Sequence, residues 1–173
     1  QWGAGDVRAA GAAGPSAVVI PKVDSVRMLD DVSALLDEAG APPSLSIWPM
    51  IETPTAMFNV RAIAAHPRVS VLVMGTNDLA KELRSPIVPG RHPLVPHLAV
   101  ALLAAREAGK AIVDGVYNDV SNPEGFLAEC VQGMQMGFDG KTLIHPSQVE
   151  PANETWAPSV DEVEHAERVI AAF

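Results

Sequence analysis

Five times along this chain, a short apolar run is followed by a segment with helical spacing, and this alternation limits the fold more than any single motif does. The runs are 16–23 (SAVVIPKV), 44–52 (SLSIWPMIE), 69–75 (VSVLVMG), 110–116 (KAIVDGV) and 141–145 (KTLIH). The helical segments are 25–40, with Val26, Leu29, Val32, Leu35 and Leu36 on one stripe and Gly40 as stop; 55–66, ended by Pro67; 77–83; and 94–109, ended by Gly109. Two more follow: 123–137, capped by Asn122 with Pro123 in its first turn, and 159–173, opened by a Ser159/Glu162 capping box. Residues 84–93 (RSPIVPGRHP) read as a Pro-rich loop. Apolar strands alternating with helices predict an α/β fold with a parallel sheet covered by helices. An open doubly wound sheet and a (β/α)8 barrel both satisfy that pattern. The first run leads into IPKVDSV, which has no Gly-rich fingerprint, and this lowers the dinucleotide-binding alternative. The barrel leaves the chain three βα units short, and the expectation is that they precede Gln1 in the natural protein.

The formal charge of −9 argues against a nucleic-acid surface, which needs a basic face. Apolar residues are 48% of the chain, enough for one domain, 1–173, with a real core. No apolar run approaches the roughly 18 residues of a membrane span, so no membrane partner is expected. Cys130, the single cysteine, excludes a disulfide within the chain and reads as a small core residue, in keeping with a cytoplasmic setting.

Each strand ends at or near an ionisable group: Lys22, Glu52, Asp78, Asp114 and His145. In parallel α/β folds these ends share one face, where active sites are built. Glu52 is followed by Thr53-Pro54, a good helix start, so the acid either simply marks a strand end or points into a site. If the strands that deliver Glu52 and Asp78 are neighbours, about 4.8 Å apart, the two carboxylates can meet at one hard cation such as Mg²⁺. Asn77 or Asp78 could instead cap the short helix, a competing role for Asp78. Lys22 reads as a Schiff-base amine, a charge partner of Glu52 or an anion binder, the last two being favoured beside two acids. Asp114 either orients a ligand or stabilises the Gly115 turn, and His145 reads as positional more than catalytic.

Taken in order, VVIPKV (18–23), IETPTAMFNVRAIAAHPRV (51–69), VMGTNDLAKE (73–82), AIVDGVYND (111–119) and GFDGKTLIHPSQV (137–149) resemble the HpcH/HpaI aldolase and citrate lyase superfamily. The likeness is greatest to its citrate lyase β-subunit-like acyl-CoA lyases. The resemblance implies a TIM barrel of which this chain holds about strands four to eight, and a homotrimer or hexamer. It implies a Mg²⁺ cofactor whose Glu and Asp ligands match Glu52 and Asp78. It further implies acyl-CoA and keto-acid substrates, joined or cleaved at a C–C bond without a Schiff base, which favours the electrostatic role for Lys22. Glu52, Asp78 and Lys22 are then the candidate catalytic residues. Asp114 and, from segment 140–148, Lys141, His145, Pro146 and Gln148 are the candidate substrate and CoA contacts. An early strand with a substrate-binding Arg and a C-terminal lid belong to the family pattern and are not among these 173 residues, so the chain alone is expected to show little activity. A metal-dependent class II aldolase that ignores CoA, a thioesterase side activity, and a non-catalytic barrel subunit are the competing readings.

Overall fold

The computed structural model describes residues 3–172. Five strands, β1 (Ala17–Ile20), β2 (Ser46–Ile51), β3 (Val71–Met74), β4 (Ala111–Asp114) and β5 (Gly140–Lys141), form one sheet in sequential order. Every adjacent pair is parallel. A doubly wound sheet reverses strand order at a switch point; this sheet does not, and its order is that of consecutive barrel strands. The helices are α1 (Gly3–Ala12), α2 (Val26–Glu38), α3 (Pro54–Ala64), α4 (Thr76–Glu82), α5 (Val95–Glu107), α6 (Pro123–Met136), α7 (Val149–Trp156) and α8 (Val160–Ala171).

The pleat splits the strands into two faces. Ile47, Ile51, Leu72, Met74 and Ile112 are fully buried against the helices, where Leu29, Leu36, Ile63 and Leu98 meet them. The opposite face carries Val19, which is 49% exposed, and the partly buried Trp48, whose indole N–H donates to Ser70 Oγ at 2.9 Å. The core therefore lies between sheet and helices.

Capping follows local sequence closely. Asn122 accepts from the Gly125 N–H with Pro123 in the first turn, and Ser159 and Glu162 cap each other at α8. Thr53 accepts from the Ala56 N–H at the start of α3 and also donates to Asp24 Oδ1. Replacing Thr53 by Ala is expected to cost about 1–2 kcal/mol in urea unfolding, with Ser close to neutral.

Three departures from the sequence pattern have physical causes. Helix α1 lies in a Gly/Ala-rich stretch without an apolar stripe; it forms against α2, where a Cβ on Gly11 would stand 3.1 Å from Leu36 Cδ2 and Arg8 reaches Glu38. Helix α7 contains Pro151, but within its first turn, where a missing N–H costs little. The last strand is two residues long rather than 141–145: the Thr142 N–H and hydroxyl both turn back to the Asp114 carbonyl, and the chain leaves the sheet. The final helix is read to residue 173, which lies outside the described residues.

Candidate functional site

Glu52 follows β2 on the face of Met50, is only 4% exposed, and shares Lys22 with Asp78. Asp78 sits in the first turn of α4, after the neighbouring strand β3. It does not cap that helix, whose N-cap is Gly75 with no side-chain bond. At the Glu52-Thr53-Pro54 junction Thr53 caps the helix, and Glu52 turns to Lys22 and Gly75. Gly75 is the condition for this approach, since a Cβ there would fall 2.3 Å from Glu52 Cβ and 2.7 Å from Oε2.

Lys22 completes the group. Its φ of 52° is left-handed, strained for a residue with a side chain. That conformation aims its backbone N–H at Glu52 Oε1, 2.7 Å away, while its ammonium reaches Asp78 Oδ2 at 2.9 Å. Burial pushes Glu52 above the usual carboxylate range, against the pull of the Lys22 N–H and ammonium, and Asp78 adds to the rise. The hydrogen bond from Lys22 holds Asp78 below its ordinary value. Lys22 is raised in turn, chiefly by Asp78, and so stays an ammonium at neutral pH. Two carboxylates gathered on one lysine concentrate negative charge that favours a further cation. The donor set fits a hard divalent ion that keeps several waters: two oxygen ligands, with no cluster of three or more His, Cys, Asp or Glu among the described residues.

The other strand-end groups do not join this site. Asp114 shares the helix-facing side with Ile112 and pairs in register with Lys141. Both side chains are fully buried. Arg91 Nη1 donates to both Asp114 oxygens at 2.7 and 2.8 Å, Lys141 Nζ donates to Asp114 Oδ2 at 3.0 Å and Glu129 Oε1 at 2.7 Å, and the Gly115 N–H donates to Asp114 Oδ1. Asp114 therefore holds the Gly115 turn and an internal ion cluster, and neither it nor Lys141 is presented to a ligand. Gln148 is also buried, accepting from the Ile144 N–H and donating to the Tyr117 carbonyl, which ties the 142–148 loop to the loop after β4. His145 and Pro146 are exposed; His145 caps the Pro146–Gln148 turn, accepting from the Ser147 N–H. Cys130 is a core residue, its thiol pushed up to about 11 by burial.

Arg91 escapes the sequence reading. It comes from the Pro-rich loop, has a φ of 52°, is 3% exposed, and its Nε also donates to Gln132. Its only sequence signal is a Pro-Gly-Arg turn, which suits any surface loop. Asn118 likewise went unread, and Asn77, a candidate cap of the short helix, does not cap it; their side-chain amides bond each other reciprocally at 2.9 and 2.7 Å and link the segments after β3 and β4. Beside them, between the 87–91 turn, the 116–122 loop and α6, lies a cavity of about 390 Å³.

Comparison with known proteins bears on this geometry. A model of the HpcH/HpaI aldolase/citrate lyase family matches residues 1–146. The chain is 51% identical over 173 residues to a (3S)-malyl-CoA thioesterase of Cereibacter sphaeroides, covering all of this chain and 59% of that protein. It is 35% identical over 178 residues to the citrate lyase subunit beta of Escherichia coli K12, covering 99% of this chain and again 59% of the relative. The chain thus spans less than two thirds of the length of either. Among solved structures, CitE of Mycobacterium tuberculosis in complex with magnesium, acetoacetate and coenzyme A superposes with a TM-score of 0.73 at 25% identity, covering 91% of this chain and 57% of that one.

Proposed function

The chain belongs to the HpcH/HpaI aldolase/citrate lyase family, and on that premise we propose that it carries the Mg²⁺ site of an enzyme that cleaves or forms the C–C bond of a malyl-type CoA thioester. The observation behind this reading is the convergence of Glu52, packed over Gly75, and Asp78 on Lys22. The magnesium complex of CitE supports the choice of ion.

Glu52 and Asp78 would hold the ion, which when bound supplies Lewis acidity to the oxygens of the hydroxy or keto acid. In the cleavage direction the substrate hydroxyl gives up its proton and the bond between the carbinol carbon and the thioester α-carbon breaks. The electron pair passes into the thioester enolate, which takes up a proton to give the acyl-CoA, leaving an oxo acid. Lys22, held protonated, is no Schiff-base nucleophile at neutral pH; it contributes fixed positive charge beside the place where negative charge develops. The partly buried backbone bond from Lys22 to Glu52 would fix the ligand carboxylate before substrate arrives.

A second outcome, hydrolysis of the thioester, is favoured by the printed activity of the 51% identical relative. One assay separates the two. The protein is given (3S)-malyl-CoA with Mg²⁺, and free thiol and oxo acid are followed together. Oxo acid without thiol is the result expected for C–C cleavage; thiol without oxo acid marks hydrolysis. In either case EDTA should suppress turnover by at least about 100-fold, and turnover that ignores EDTA would overturn the metal assignment.

A further inference from the structure

We propose that Asn59 of α3 is a positioning residue: it clamps the loop after β1 and so holds Lys22 in the conformation that serves Glu52 and Asp78. This rests on the reading of those two acids as the metal pair.

A residue with a side chain stays left-handed only where its surroundings over-determine it. Lys22 has a φ of 52°. Its ammonium pairs with Asp78, but that side chain is half exposed, so the ion pair is a weak restraint on a backbone. The restraint comes from the two residues that follow. Val23 is fully buried in the core. Asp24 is tied twice to α3: Asn59 Nδ2 donates to its carbonyl at 2.7 Å, and Thr53 Oγ1 donates to its carboxylate. Asp24 precedes Ser25, the N-cap of α2, so its carbonyl lies outside that helix's own ladder and is open to a side-chain donor.

Helix α3 begins directly after Glu52, with Thr53 as its N-cap. Tying the Lys22 loop to α3 therefore fixes it to the element that carries the acid it serves. With the Asn59 bond gone, Lys22 is free to relax to negative φ. Its N–H then leaves Glu52 Oε1, and its ammonium loses its fixed place beside Asp78. Thr53 has a second task, accepting from the Ala56 N–H, so Asn59 is the position that isolates the clamp.

The test uses Asn59→Ala in the full natural chain. It removes the donor from a partly exposed helical position, where Ala is the best helix former, so the fold is kept. In the metal-free protein, amide hydrogen exchange at Lys22, read by NMR, should quicken about tenfold or more. With Mg²⁺ present, kcat for (3S)-malyl-CoA should fall about tenfold or more while KM stays within about threefold, because the displaced charge acts on the reacting atoms. Val60→Ala, a core truncation in the same helix, should lower the thermal midpoint and leave both Lys22 exchange and kcat unaltered. Unchanged exchange at Lys22 in Asn59→Ala, or quickened exchange with unchanged kcat, would overturn the positioning role and leave the proposed function standing. So would the appearance of both changes in Val60→Ala. If the unaltered protein turns over no thioester, the proposed function falls, and the metal-free exchange still decides whether Asn59 holds Lys22.

Discussion

Glu52→Gln is expected to weaken Mg²⁺ binding by at least about 100-fold and to remove most turnover, with no large loss of stability. The amide keeps the size of the carboxylate and an oxygen that accepts from the Lys22 N–H, so the bond at 2.7 Å survives. The charge does not. Asp78 is then left alone with the Lys22 ammonium, 2.9 Å away, and the local carboxylate charge that attracts a divalent ion is already neutralised. Asp78→Asn should act in the same direction. It also frees Lys22, which is half exposed and can turn into solvent, so its effect on stability is small. Calorimetric titration of Mg²⁺ into both variants checks this. Unaltered affinity in both would mean that the pair is a structural contact and no metal site.

Asp114→Ala should be the most destabilising substitution of the strand-end acids, by about 3–5 kcal/mol, which lowers the thermal midpoint on the order of 10 °C. The side chain is wholly buried and is the common acceptor for Arg91, Lys141 and the Gly115 N–H. Its removal leaves two buried cations to share Glu129, and Arg91 Nη2 already lacks an acceptor among the described residues. Asp114→Asn should fall between, because the amide oxygen still accepts while its charge is lost. Denaturant unfolding of the three proteins measures the order. A loss below about 1 kcal/mol for the alanine variant would show that the cluster is solvated in solution.

The two acids look alike in the sequence, and the fold uses them oppositely. Each closes an apolar strand that runs into a turn. Glu52 follows Ile51 and so takes the face of Met50; Asp114 lies two residues past Ile112 and takes the helix face. A half-exposed strand would show this parity as an alternation of polar and apolar residues, but Ser-Ile-Trp-Pro-Met-Ile and Ala-Ile-Val-Asp are mostly apolar and hide it. The Lys22 contact to Glu52 was legible as a pairing of charges; that the backbone N–H makes it, through a left-handed residue, was not. Arg91 was out of reach because irregular loops have no period from which to infer where a side chain goes.

The sequence by itself determined the alternation of strand and helix, most helix starts and the parallel sheet, since these follow from periodicity and from side chains bonding backbone a few residues away. The tertiary structure decided which strand-end charges meet, which are walled in beneath α6, and where a cavity opens beside α4. Those outcomes depend on contacts such as Lys22 to Asp78 and Arg91 to Asp114, made between residues remote in the chain once the strands have taken their register. A shift of one residue in that register would exchange the two faces of a strand, while leaving its sequence pattern the same.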